Sequence, residues 1–166
     1  MTDSGASLVI PVKAGDLRKG GYAMLKDFPC KIVDISTSKT GKHGHAKSNI
    51  TGIDIFTGKK YIDLTPTSHN IYVPIVTNMT WTICDITEEK YCSLIDDNGT
   101  IKEDLKIPDT HYLINPELGK KIEDAYTKCQ ENGKEVTVTV ISAPANLKAN
   151  ELTEAIVDFS MGKEIY

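Results

Sequence analysis

The chain has 166 residues, of which 40% are hydrophobic and 25% are charged, and its formal net charge is -4. This balance is typical of a globular protein and argues against wholesale disorder, a collagen-like repeat and a membrane protein, because no run approaches the roughly 20 apolar residues that span a bilayer. The length allows one domain or two small ones, and no secretory signal is expected at the N-terminus.

Charge is divided unevenly along the chain. Residues 1–74 contain ten Lys and Arg against six Asp and Glu, whereas residues 75–166 contain nine against 17, so the net charges are +4 and -8. The asymmetry indicates two units with different electrostatic roles. The first, which is positively charged, is expected to bind a polyanion if the protein has such a partner. No acidic residue lies between Asp34 and Asp54. The basic side chains in that interval are Lys39, Lys42, His43, His45 and Lys47.

The first half is predicted to form a small β-barrel. Residues 1–16 are polar and small at first and are expected to be a flexible lead-in. Beyond them, short runs of β-branched and apolar residues between turn residues predict about five strands. These strands are expected near 22–25, 30–37, 48–56, 61–64 and 70–74. The segment 36–47 joins two of them, and its glycines and lack of a large apolar side chain predict a projecting loop.

The second half is predicted to be another small β unit with one helix. Strands are expected near 81–86, 91–95, 100–105 and 136–141. A helix over 116–126 is predicted before the last strand, with Asn115 as its N-cap and Asn132-Gly133 as its end. With one strand missed or split, this is the element order of a five-stranded OB-like barrel. A moderately amphipathic C-terminal helix is predicted from Glu151 to Met161.

Three kinds of chemical site were tested against the sequence. A nucleotide-binding P-loop is not supported, because Thr40-Gly41-Lys42 lacks both the leading glycine and the following Ser or Thr. His43 and His45 could chelate a metal, but the flanking lysines oppose a cation. No hydrolase nucleophile motif is present.

The four cysteines form no CxxC pair, and no Cys/His cluster has the spacing of a zinc site. They are predicted to be reduced, mostly buried and structural, as in a cytosolic protein. The cysteines are Cys30, Cys84, Cys92 and Cys129.

The basic loop carries a long and specific resemblance. STSKTGKHGHAK, from Ser36 to Lys47, and GIDIFTGKKY, from Gly52 to Tyr61, closely resemble the eukaryotic translation initiation factor 5A family. The match is dense over residues 17–74 and looser over 75–142. It implies a mainly all-β chain with an SH3-like barrel over 17–74 and an OB-fold barrel with one helix over 75–145. The amphipathic pattern of the tail predicts a helical extension over 146–166.

The resemblance also implies a function that needs no catalysis by the chain itself. Lys42 is expected to become hypusine when deoxyhypusine synthase transfers the aminobutyl group of spermidine and deoxyhypusine hydroxylase completes the modification. The cytoplasmic protein would then bind the ribosome near the E site and present Lys42 to P-site tRNA, with no membrane partner and no separate cofactor. This would promote elongation through consecutive prolines and assist termination. The residues expected to contact RNA or the ribosome are Lys39, Thr40, Gly41, Lys42, His43, Gly44, His45 and Lys47.

The sequence departs from the family pattern in three places. Residues 48–51 replace a more apolar stretch, residues 109–115 look like an insertion before the helix, and the tail beyond Ala145 is longer. Two other interpretations stay open at this stage. One is a general RNA-binding module of SH3-plus-OB type without lysine modification, and the other is a metal-dependent enzyme that uses His43 and His45.

Overall fold

The computed structural model describes residues 8–39 and 46–164. The chain divides into two compact units. The first comprises the chain up to Val76 together with Ala143–Thr153, and the second comprises Thr77–Ser142 and the chain from Glu154 onward.

The described residues of the first unit form six strands in two antiparallel sheets. A 3₁₀ turn, Ala14–Asp16, follows the first strand. The strands are β1 Val9–Lys13, β2 Tyr22–Leu25, β3 Phe28–Ser38, β4 Lys47–Asp54, β5 Lys60–Pro66 and β6 Asn70–Pro74. One sheet has the order β2-β3-β4-β5, and the other pairs β1 with β6.

Alternation of side chains explains why β4 forms a strand with one buried face. Ser48, Ile50, Gly52 and Asp54 are buried, and the residues between them point the other way. Because side chains alternate across a strand, every second position meets the core. The buried residues of this core are Leu17, Ala23, Leu25, Cys30, Ile32 and Ile50.

The second unit contains one five-stranded sheet and one helix among its described residues. Its elements are β7 Thr77–Ile86, β8 Tyr91–Ile95, β9 Ile101–Lys106, α1 Leu118–Asn132, β10 Lys134–Pro144 and β11 Leu152–Glu164. The strand order is β11-β10-β7-β8-β9. The first three strands follow the meander that an OB-type barrel requires, and α1 precedes β10 as the sequence predicts.

The helix packs on the sheet through a single apolar stripe. Leu118, Ile122, Ala125 and Cys129 are buried at spacings of three and four residues. Gly133 ends the helix in the left-handed conformation, with φ of 66°, as glycine does after a last helical turn. The predicted N-cap is wrong, because the helix begins at Leu118 and Glu117 precedes it.

The predicted C-terminal helix is wrong. Leu152–Glu164 is a strand that pairs with β10 and places Ile156 in the core of the second unit. Glu154 also lies 2.5 Å from the Lys102 ammonium of β9, the strand at the opposite edge of the sheet. Pairing with an open strand edge outweighs a weak local helical pattern, since propensity is easily overridden by tertiary contacts.

The flexible lead-in predicted over residues 1–16 is also corrected where the structure describes it. Val9–Lys13 forms β1 and pairs in register with β6, from Val9 opposite Pro74 to Lys13 opposite Asn70. Val12 packs against the first core. The strand was not predicted because the residues that precede it are polar and small, which is typical of a flexible segment.

The described cysteine thiols are all free, as predicted. Cys30, Cys92 and Cys129 are buried, and Cys84 is exposed. Burial raises the pKa of the Cys30 thiol to about 12 and that of Cys92 to about 11, so both stay protonated at neutral pH and act as packing groups. In the described part of the chain, no helix has the length and apolar character needed to cross a membrane.

Gly52 is a point where the core admits no side chain. A Cβ built there would lie 2.7 Å from both Cys30 Cβ and Leu25 Cδ1. We therefore expect Gly52→Ala to lower the free energy of unfolding of the first unit by about 1–3 kcal/mol, as overpacked cores do. Chemical denaturation checks this.

Gly162→Ala is the matched control, because the nearest atom to its added Cβ, the Glu135 carbonyl oxygen, is 3.7 Å away. Equal stability of the Gly52→Ala variant and the unmodified sequence would contradict the packing described for this core.

Candidate functional site at the β3–β4 loop

The basic segment connects two strands that pair up to its boundaries. β3 ends at Ser38 and β4 begins at Lys47, and these two residues are the last partners in the register of the hairpin. The connection is therefore residues 39–46. Of the predicted site residues, Lys39 and Lys47 are exposed. The others, Thr40, Gly41, Lys42, His43, Gly44 and His45, lie outside the described residues.

The returning end of the loop is tied to the rest of the unit by backbone hydrogen bonds. The Thr67 N–H donates to the Ala46 carbonyl oxygen at 2.9 Å, and the Gly15 N–H donates to the Thr67 carbonyl oxygen at 3.0 Å. The Ala14 N–H donates to the His69 carbonyl oxygen at 2.8 Å. The turn between β5 and β6 thus links the end of the loop to the 3₁₀ turn near the start of the chain.

Gly15 matters in this chain of bonds because it lies against Thr67. An added Cβ at Gly15 would be 3.2 Å from both Thr67 Cβ and the Thr67 carbonyl oxygen. Sequence reasoning missed this role, since it assigned residue 15 to a flexible lead-in. The apolar pattern of β1 is interrupted at Ala14-Gly15-Asp16, before Leu17, and this interruption could have predicted a turn at Gly15.

The two described lysines at the base of the loop are free to act on an anion. Lys39 and Lys47 make no ion pair within the part of the chain that the structure describes. Unpaired cations on an exposed loop attract phosphate groups and contribute salt-dependent affinity. Residues 8–39 and 46–164 contain no cluster of three or more His, Cys, Asp or Glu that could hold a metal ion.

Two family models match successive parts of the chain. The model described as Translation initiation factor 5A-like, N-terminal, matches residues 7–69, which include the whole loop. The model described as Eukaryotic elongation factor 5A hypusine, DNA-binding OB fold, matches residues 75–152. The chain belongs to the eukaryotic translation initiation factor 5A family.

Individual relatives agree with this assignment. The eukaryotic translation initiation factor 5A of Dictyostelium discoideum is 52% identical over 140 residues, which are 84% of this chain and 81% of that protein. Factor 5A-1 of Arabidopsis thaliana is 44% identical over 153 residues, which are 92% of this chain and 91% of the relative. These relatives are named as translation factors and not as enzymes, and the chain is a translation factor of this family.

Solved structures confirm the predicted fold class. A translation initiation factor 5A family protein from Naegleria fowleri is 45% identical, superposes with a TM-score of 0.76, and the match covers 93% of this chain and 99% of that one. The factor from Methanococcus jannaschii is 27% identical with a TM-score of 0.62, over 92% of this chain and 96% of that one. The chain is mostly β, with an SH3-like N-terminal unit and a C-terminal OB fold.

Ser48 is an unusual feature of the base of the loop. Ser48 is 1% exposed, and its hydroxyl oxygen has no hydrogen-bond partner among the described residues. It is the second residue of β4, directly after Lys47. A buried hydroxyl without a partner loses its hydration without compensation, which costs about 1–3 kcal/mol.

We expect Ser48→Ala to raise the free energy of unfolding by about 1 kcal/mol, because it removes this desolvation cost and only one atom of packing. Thermal and chemical denaturation measure the change. Ser38→Ala is the control, since Ser38 is exposed and should shift stability by less than about 0.5 kcal/mol. A loss of stability at Ser48 as large as 1 kcal/mol would show that its hydroxyl has a partner.

Proposed function

We propose that this chain is the hypusine-bearing translation factor that the loop sequence implies, with Lys42 as the modified residue. Support comes from family membership, from the description of the second matching family model, which names hypusine, and from the segment 36–47, which resembles the family's modified loop. The observation that carries most weight is that a specific family motif occupies the connection between two tightly paired strands, closed by Ser38 and Lys47.

The proposed modification uses polyamine chemistry. Deoxyhypusine synthase transfers the aminobutyl group of spermidine to the Lys42 amine and releases 1,3-diaminopropane. Deoxyhypusine hydroxylase then converts one C–H bond of the new side chain to C–OH with O₂ as the oxidant. The resulting side chain reaches about twice as far as lysine, as bond lengths dictate. It carries two amines and a hydroxyl, which can pair with phosphates and donate hydrogen bonds along an RNA crevice.

In this proposal the factor acts in the cytoplasm by binding the ribosome near the E site. The modified Lys42 would contact the acceptor end of P-site tRNA and hold it in a reactive geometry. The contribution is one of positioning, since fixing a reactant removes part of the entropic barrier while the ribosome performs the chemistry. Poorly reactive sequences such as consecutive prolines, and termination, would benefit most.

The described structure is consistent with such a role for the loop base. The lysines at residues 39 and 47 are exposed and unpaired among the described residues, so they can contact phosphates on either side of the modified position. The hydrogen bonds through Ala46, Thr67 and Gly15 limit movement of the strand that follows the loop. A firm base reduces the entropy lost when a long side chain is presented to a narrow site.

Substitution of Lys42 separates this function from plain RNA binding. Lys42→Arg keeps the positive charge, so a generic phosphate contact predicts only mild weakening. We expect loss of nearly all stimulation, because arginine cannot accept the aminobutyl group and falls short of the tRNA. The measurement is ribosomal synthesis of a peptide with consecutive prolines, with modified protein as the reference.

Lys39→Arg and Lys47→Arg are the controls, since each preserves charge and leaves the modified position intact. Both should retain most of the stimulation. If Lys42→Arg stimulates as well as the modified protein, the chain acts as an RNA-binding module and the hypusine proposal is wrong.

A further inference from the structure

The 3₁₀ turn Ala14–Asp16, called the supporting turn from here on, is anchored in the first unit on both sides. Ala14 is 1% exposed, and Leu17, which follows the turn, is 7% exposed and belongs to the core of this unit. The Leu17 N–H donates to the Ala14 carbonyl oxygen at 3.2 Å and closes the turn. Gly15 lies between these anchors, so its backbone is fixed although the residue itself is exposed.

Arg18 adds two hydrogen bonds to the supporting turn. Its guanidinium nitrogen Nη1 donates to the Gly15 carbonyl oxygen at 3.1 Å and to the Leu17 carbonyl oxygen at 2.9 Å. Hydrogen bonds from a charged donor are stronger than those between neutral groups. The Gly15 N–H is also used, because it donates to Thr67. Both backbone polar groups of Gly15 are therefore paired.

The turn between β5 and β6 is attached directly to the supporting turn. The Gly15 N–H donates to the Thr67 carbonyl oxygen at 3.0 Å, and the Ala14 N–H donates to the His69 carbonyl oxygen at 2.8 Å. Within the β5–β6 turn, the His69 N–H donates to the Pro66 carbonyl oxygen at 3.0 Å. Two successive N–H groups of the supporting turn thus hold the backbone on which Thr67 lies.

A proline explains why the loop depends on Thr67. Pro66 is the last residue of β5 and lies opposite Lys47, the first residue of β4. Because proline has no backbone N–H, it cannot donate a hydrogen bond to the neighbouring strand. The next N–H along the chain, that of Thr67, donates to the Ala46 carbonyl oxygen at 2.9 Å. This bond extends the attachment of β5 by one residue into the connection 39–46.

A close approach makes Gly15 the sensitive residue of this arrangement. Its φ angle is not positive, so the backbone conformation itself would accept a side chain. An added Cβ would nevertheless lie 3.2 Å from both the Cβ and the carbonyl oxygen of Thr67. Carbon atoms in favourable contact are about 3.5–4.0 Å apart, so a larger residue at position 15 must displace Thr67. Displacement of Thr67 would disturb its bond to Ala46.

We propose that Gly15 and Thr67 are positioning residues for Lys42. The inference rests on the proposed function, because it concerns how the loop presents the modified side chain. The bond from Gly15 to Thr67 and the bond from Thr67 to Ala46 connect the supporting turn to the residue at which the loop returns. Lys42 precedes Ala46 by four residues, so a shift of Ala46 is passed to Lys42 through a short segment of chain.

The benefit of this support is entropic. A side chain that is held before binding loses less conformational freedom when it meets its target. Misplacement by about 1 Å can slow a reaction as much as 100-fold even when the partners stay bound. Loss of the support is therefore expected to lower the rate at saturating factor. Binding of the factor, to which the exposed residues Lys39 and Lys47 contribute, should change little.

The test uses Gly15→Val in the full-length protein with Lys42 fully modified. Ribosomal synthesis of a peptide with consecutive prolines is measured over a range of factor concentrations. We expect the maximal rate to fall about fivefold, with the concentration for half-maximal rate within about twofold of that of the unsubstituted protein. A variant that is only less well folded would show the opposite, since more protein would be needed while the maximal rate would be retained.

Gly52→Ala is the control for a general loss of stability. It also crowds a glycine of the first unit, but against Cys30 and Leu25 in the core and not against Thr67. The control should retain the maximal rate. Circular dichroism and the melting temperature establish the folded fraction of each variant. An equal fall in maximal rate for Gly15→Val and Gly52→Ala would overturn the proposal, because crowding of the unit alone would explain it.

Thr67→Pro is a second variant that removes the donor to Ala46 itself. It should lower the maximal rate about as much as Gly15→Val. The double variant should lose no more than either single variant, because both substitutions break the same series of hydrogen bonds. Losses that multiply in the double variant would show that the two residues act independently and would overturn the proposal.

Amide hydrogen exchange follows the support directly. Gly15→Val should speed exchange of the Thr67 N–H about tenfold and leave that of Ile50, which is buried in the core, unchanged. Unchanged exchange at Thr67, or faster exchange with an unchanged maximal rate, would overturn the positioning role and leave the proposed function intact. Absence of stimulation by the modified, unsubstituted protein would overturn the proposed function and the positioning role together.

Discussion

The pairing of β3 with β4 is the constraint on which the rest of the first unit depends. Its register is continuous from Cys30 opposite Asp54 to Ser38 opposite Lys47, apart from the single bulge. On one face this hairpin buries Cys30, Ile32 and Ile50 in the core. Because one face is buried, a slip of one residue would expose the whole apolar set, so the register is strongly fixed. The position of the loop ends follows from that register.

Fixing the ends of the loop gives a physical basis for the proposed role of Lys42. Pairing of β3 with β4 fixes the backbone on both sides of the loop. The hydrogen bond from the Thr67 N–H to the Ala46 carbonyl oxygen fixes the residue at which the chain returns to β4. The same register sets the opposite face of the sheet, where alternation along β5 exposes Ile62 and Leu64. Core packing and the placement of the loop ends are therefore two consequences of one hairpin.

The sequence was most informative where local pattern and tertiary structure agree. The alternation in Lys47–Asp54 predicts a strand, and the apolar spacing in α1 predicts a helix, because each pattern matches the face that is buried. The patterns failed where the structure of a segment is decided by pairing with another strand. β1 pairs with β6 and β11 pairs with β10, so their structure depends on an available strand edge that no local window reveals.

The candidate site divides in the same way. The residue types of segment 36–47 and the spacing of its glycines could be recognised in the sequence, and the family resemblance is based on them. The backbone hydrogen bonds that support the loop could not be predicted from the sequence. Gly15 and Thr67 are separated by more than half the length of the first unit, and only the fold brings them into contact. Asp34 is exposed beside Val33 because of a bulge, which the strand pattern of β3 did not predict.

The central claim is that Lys42 carries hypusine, and mass spectrometry tests it most directly. Protein purified from its own cells would be digested, and the peptide that contains Lys42 would be fragmented to locate any added mass. We expect an added aminobutyl group with one hydroxyl oxygen on Lys42, and unmodified side chains at Lys39 and Lys47. A peptide with unmodified Lys42 in all copies of the active protein would contradict it.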